Sequence, residues 1–95
     1  MNKNLFIIAK ITPKPEFFES AKHAILGVVP QTLKEMGCHQ FAVHQDDTSI
    51  YLYEEWDDQA ALDQHYAMPY IVPVFESYQE WLAEPVEINK LSKLV

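Results

Sequence analysis

His65 is the residue of this chain best equipped to move a proton near neutrality, because imidazole alone among the side chains has an ordinary pKa in that range. Counted along a helix, it shares a side with Ala61 and Leu62, the side that should face a sheet. The competing reading is a solvated helix histidine. Glu54 and Trp56 are two residues apart in the run Ile50–Trp56, so on a period-two strand their side chains leave the same face. A carboxylate among Ile50, Leu52 and Trp56 is costly to bury without a partner. Glu54 is therefore expected to anchor a substrate hydroxyl or to orient His65, unless it faces water. Trp56 is expected either to wall a pocket or simply to pack in the core.

Phe41, Tyr70 and Phe75, with Tyr53, Tyr78 and Trp81, supply aromatic surface suited to a planar ligand, although such a stripe also serves as core. His44, at a strand end beside a turn, can reach a pocket mouth or remain solvated. His39 and His44 lie five apart on one strand, so they should point to opposite faces and cannot chelate one ion together. No metal site is expected. The chain has one cysteine, Cys38, and no serine or cysteine elbow or paired-carboxylate hydrolase motif. Gly27 and Gly37 are its only glycines, too few for either glycine-rich nucleotide-binding device.

The elements that would carry these residues follow from periodicity and chain breakers. Leu5–Ile11 reads as a strand, stopped by Thr12-Pro13-Lys14-Pro15. From Pro15 to Met36 apolar residues recur at helical spacing until Gly37, with Pro30 predicting a kink or break near Gly27–Val29. Cys38–Gln45 and Ile50–Trp56 flank a polar Asp46–Ser49 turn and form a hairpin. Asp57 is expected to cap a helix from Asp58 to about Ala67, closed by Pro69. A further helix spans Ile71–Leu82, and Val86–Leu94 forms a final edge strand. This order describes a single domain over residues 1–95, an α+β, ferredoxin-like split βαβ with helices on one face of an antiparallel sheet.

The chain is 48% hydrophobic and 13% aromatic, more than one small core can hide. The first and third strands lack clean polar alternation, so the sheet face without helices should be covered by a second copy of the chain. A net charge of −7, with 7 basic residues that do not cluster, argues against nucleic acid or an anionic membrane as partner. The apolar run Leu5–Ala9 is too short for a span or a secretion signal, and the lone cysteine fits a reducing compartment; a cytoplasmic location is expected.

Taken together, Tyr53-Glu54-Glu55-Trp56, the following Asp57-Asp58, and His65 with Pro69 at His-x-x-x-Pro spacing resemble the antibiotic biosynthesis monooxygenase family of small dimeric α/β-barrel proteins. The resemblance extends from the Lys14-Pro15 turn through Gly37-Cys38 to Glu84-Pro85, departing at Glu16, where a glycine commonly stands, and at Pro30. It implies a homodimer paired through the sheet face, each subunit keeping its own pocket. It also implies a cofactor-independent monooxygenase that oxidises a small quinol or polyphenol-like aromatic substrate with dioxygen. His65 would then be the base, Glu54 its orienting group, and Trp56, Tyr70 and Phe75 the enclosure. Haem-degrading relatives carry an asparagine in the first strand and a histidine on the last helix, both missing here. An isomerase of the autoinducer-processing type and a non-catalytic dimeric ligand-binding module remain alternatives, because fold alone does not fix chemistry.

Overall fold

The structure, a computed structural model, describes residues 3–95. Its elements are β1 (Leu5–Ile11), α1 (Phe18–Leu33), β2 (Cys38–Gln45), β3 (Ile50–Trp56), α2 (Gln59–Tyr66), α3 (Val72–Trp81) and β4 (Glu87–Leu91), with a single 3-10 turn at Pro15–Phe17. The strands form one antiparallel sheet in the order β2-β3-β1-β4. This is the expected α+β split βαβ arrangement: the first helical crossover leaves a gap beside β1 that β3 fills through the hairpin, and the second carries β4 to the other side of β1.

Strand parity sets the core. Ile7, Ala9 and Ile11 of β1 pair with Glu54, Leu52 and Ile50 of β3, and all six are buried. Ala21 and Ile25 of α1 and Leu62 of α2 complete the cluster on that side. The opposite face carries Phe6, Ile8, Tyr51 and Tyr53; Phe6 and Tyr53 stack with centroids 6.5 Å apart, and Ile8 is 38% exposed. That face is apolar along its centre yet has no helix over it among the described residues.

Three boundaries differ from the sequence expectation. α1 begins at Phe18, runs through Pro30 without a break and ends at Leu33, short of the expected Met36. Pro30 stands one turn from the helix end, where its missing N–H removes a single bond and the chain need not continue far. The cap of α2 is Asp58, whose Oδ1 accepts from the Ala61 N–H at 2.9 Å, rather than Asp57. Asp57 is engaged elsewhere: its Oδ1 meets His39 Nε2 at 2.5 Å, and its N–H donates to the Gly37 carbonyl at 2.8 Å. β4 is shorter than expected and wholly exposed at the sheet edge.

Gly37 matters for everything that follows. Its φ is +90°, and a Cβ there would lie 2.8 Å from the Ala61 Cβ, so both conformation and space require glycine. This contact brings the end of α1 against the start of α2, which are far apart in sequence.

Candidate functional site

Between the sheet and the helices lies a cavity of about 380 Å³, inside the range of small-molecule sites. Ala9, Ile11, Leu52 and Phe41 form its floor; Ile25 and Val28 of α1 and Val74 and Phe75 of α3 form its walls, with Ile71 just before α3; Val86 and Ile88 stand at one edge. Its polar lining consists of Glu54, His65 and the phenols of Tyr66 and Tyr78, with no lysine or arginine. Burial pushes the Tyr66 phenol up to about 12 and raises that of Tyr78, with the Glu54 charge adding to both shifts. Both therefore stay neutral near physiological pH.

His65 is 3% exposed and is held from three sides. Its Nδ1 lies 2.7 Å from Glu35 Oε2. The Trp56 ring is 4.8 Å away at 41°, and Phe41 packs at 5.7 Å. A carboxylate can only accept, so Nδ1 carries a hydrogen, and in the neutral ring the lone pair falls on Nε2. No protein group bonds Nε2 among the described residues, and no fully buried side-chain nitrogen or oxygen there lacks a partner. Nε2 therefore opens to the cavity it lines. The same Glu35 oxygen accepts from the Tyr70 hydroxyl, whose pKa is pushed up to about 12 by burial and then by that bond. A phenol, a carboxylate and an imidazole thus form one chain leading into the cavity.

Glu54 is 4% exposed. Its Oε1 accepts from Trp56 Nε1 at 2.9 Å; Oε2, by the same accounting, opens to the cavity. Burial pushes its carboxyl up to about 7, the Trp56 bond opposing this only in part. The folded chain therefore binds this proton more tightly than the unfolded chain, where a glutamate titrates near ~4.3. The resulting stabilisation is complete below the unfolded value and is lost as pH rises through about 7, a difference of ~3 kcal/mol by about pH 8. Glu54→Gln keeps an acceptor for Trp56 and carries no charge. It should match the parent in stability at about pH 4 and exceed it by ~3 kcal/mol at about pH 8. Urea melts at both values check this, and a pH-independent difference would rule out the buried titration.

The structure brings His65, Glu54, Phe41 and Phe75 to one cavity and moves three other candidates away from it. Trp56 is fully buried and backs His65 rather than walling the cavity, because α2 packs the imidazole over the indole. Tyr70 spends its hydroxyl on Glu35 and does not line the space. His44 pairs with Tyr51 on the helix-free face of the sheet and is exposed, so it does not reach the cavity mouth. The orienting role expected of Glu54 belongs instead to Glu35, which sequence reasoning missed. Cys38 is half-buried, its thiol pushed up to about 11 by burial and then by Glu35 and Glu54, which leaves it a poor nucleophile.

A family model described as antibiotic biosynthesis monooxygenase matches residues 4–83. The chain is 29% identical over 88 residues to an uncharacterised protein of Synechocystis, a match covering 90% of this chain and 60% of that protein. It is 24% identical over 96 residues to Rv0793 of Mycobacterium tuberculosis, which carries a monooxygenase name; 99% of this chain and 95% of that one are covered. The solved structure of Rv0793 superposes with a TM-score of 0.91 at 22% identity, covering 98% and 97% of the two chains. A Pseudomonas aeruginosa protein superposes at 0.90 with 29% identity, covering 97% and 95%. With the fold, the cavity and a family match over most of its length in hand, the chain belongs to the antibiotic biosynthesis monooxygenase family.

Proposed function

We propose that the chain is a monooxygenase that oxidises a small quinol or polyphenol-like aromatic with dioxygen, the substrate itself supplying the electrons. The observation that carries this reading is the Nε2 lone pair of His65, opened to an apolar cavity while Nδ1 is tied to a buried carboxylate. That is the arrangement of a positioned base. A cavity of about 150 Å³ accommodates a benzene ring, so one of about 380 Å³ suits two or three fused rings.

His65 takes the hydroxyl proton, and the electron-rich anion passes one electron to dioxygen. Recombination of the two radicals forms a ring carbon–oxygen bond. The peroxide takes the proton back from His65, the imidazole then removes the hydrogen on that carbon as the O–O bond breaks, and the hydroxide released leaves with that proton as water. The quinol leaves as a hydroxyquinone, oxidised by four electrons, as dioxygen is reduced by four. The dry walls protect the anion and the radical pair from bulk water, and the phenols of Tyr66 and Tyr78 are donors available to developing negative charge. Oxygen uptake by chelator-treated protein across a panel of simple quinols tests the reading; rates no faster than autoxidation for every quinol would count against it.

The helix-free sheet face, with Phe6, Ile8 and Tyr53 along its centre, supports a homodimer built by pairing that face with a second copy. Sedimentation equilibrium should then report twice the 11.0 kDa chain mass, and a persistent monomer would exclude the pairing. No described helix is long and apolar enough to cross a membrane. A cytoplasmic location is part of the same proposal, supported by the lone cysteine and the acidic composition.

A further inference from the structure

The cavity has a charge character that its volume alone does not convey. Its lining contains no lysine or arginine. Lys90 of β4 is the cation that sheet pairing brings nearest: it lies beside Ile7, and Ile7 lies beside Glu54. Its Nζ is drawn away to Gln59 Oε1 at 2.8 Å. The one lining group able to become cationic, His65, already has a carboxylate on Nδ1, so the charge it gains on taking a ligand's proton balances only the anion that this proton leaves behind. An anionic ligand would enter this space beside Glu54 with no counter-charge left for it, a situation that buried charges do not tolerate.

The same geometry offers an uncharged ligand two directional contacts. Nε2 of His65 accepts, and the free oxygen of Glu54 can donate when the carboxyl holds its proton, while Trp56 Nε1 fixes the other oxygen in place. The remaining groups facing Glu54 do not replace this donor with a charge. Phe41 and Ile7 flank it in the sheet, the Tyr66 and Tyr78 phenols are neutral, and the Cys38 thiol is protonated.

We propose that this cavity selects uncharged ring compounds carrying two oxygen functions, a hydroxyl that donates to His65 Nε2 and a second oxygen that accepts from the Glu54 carboxyl, and that it rejects their carboxylated, sulfonated and phosphorylated analogues. This rests on the monooxygenase reading for the identity of the site and adds to it the substrate class. Because the Glu54 carboxyl titrates at about 7, affinity for the neutral ligand falls as pH rises through that value: the donor is lost and a charge appears.

The test is binding without oxygen, read by quenching of tryptophan fluorescence, since Trp56 contacts both recognition residues. The probes are naphthohydroquinone, the same quinol with a ring carboxylate, and a naphthol with one hydroxyl, each titrated into the parent and into Glu54→Gln. In the parent the carboxylated quinol should bind at least about a hundredfold more weakly than naphthohydroquinone, because its charge is desolvated without a partner. The naphthol should bind about tenfold more weakly, for want of one hydrogen bond. In Glu54→Gln, which keeps the Trp56 bond and adds an amide donor, the carboxylated quinol should stay at least about a hundredfold weaker, because its charge still lacks a partner, while the roughly tenfold fall in naphthohydroquinone affinity between about pH 6 and pH 8 expected in the parent should disappear. Binding of the carboxylated quinol within threefold of the neutral one, a pH-dependent affinity that persists in Glu54→Gln, or no binding by any probe would each overturn the proposal. With dioxygen absent, this result is separable from turnover. A protein that oxidises the carboxylated quinol faster would remain an oxygenase and contradict the selectivity; one that ranks the probes as expected but consumes no oxygen would do the reverse.

Discussion

His65→Gln should lower quinol turnover by ~10³-fold while leaving ligand affinity within about threefold, since removing a positioned base typically costs ~10²–10⁴-fold in rate. The imidazole is the one lining group whose ring nitrogen opens to the cavity as an acceptor, while the phenols hold their protons and burial favours the protonated, donating form of Glu54. Glutamine is the informative replacement. Its amide can donate to Glu35, so the carboxylate at 2.7 Å is not left buried without that partner, as it would be with alanine. Steady-state rates beside equilibrium binding, with a melt to verify folding, separate the two effects. Turnover within threefold of the parent would remove His65 from the chemistry, and lost affinity with an unchanged rate constant would make it a binding group only.

Glu35→Gln should lower kcat by ~10²-fold with little change in KM, an effect of tautomer rather than contact. In the parent a carboxylate facing Nδ1 fixes the hydrogen there and the lone pair on Nε2. An amide that turns its NH2 into the place of the shared oxygen donates to Nδ1 and to the Tyr70 hydroxyl oxygen alike, which moves the imidazole hydrogen to Nε2 and points a donor where the base should be. Glu35 meets no substrate in this account and acts as a positioning residue. A purely structural role predicts a lower melting temperature with kcat preserved; the positioning role predicts a depressed kcat across the pH profile, with partial recovery in Glu35→Asp. Unchanged kcat in a folded Glu35→Gln protein would dismiss it.

The elements were legible because their signals are local. Period-two alternation placed Glu54 and Trp56 on one face of β3, helical spacing turned His65 toward the sheet, and Gly37 marked the helix stop. Glu35 was not legible for an equally physical reason. It follows the last turn of α1, in a polar stretch that reads as solvated, and it is buried to 6% side-chain exposure only because Gly37 lets that end of the chain close on Ala61. No periodicity in the sequence encodes a contact made across such a junction. Parity likewise gave the face of Trp56 but not its depth, so whether the indole lined the cavity or lay beneath His65 depended on where α2 packed. The shift of the α2 cap from Asp57 to Asp58 accompanies a bulge in β2 between Cys38 and Gln40, beside His39, whose ring holds the Asp57 carboxylate. Bulges add one residue without a composition signal. His44 was misplaced by proximity in sequence: the end of β2 is near the hairpin, but its side chain leaves the other face of the sheet.

Direct reaction of dioxygen with a substrate anion raised by His65 in this cavity is measured most directly by following oxygen atoms. Single-turnover reactions with isotopically heavy dioxygen should place one heavy atom in the quinone product and the other in water, a pattern that collapses to the autoxidation background in His65→Gln. Product that carries oxygen only from solvent, with dioxygen recovered as hydrogen peroxide, would contradict it.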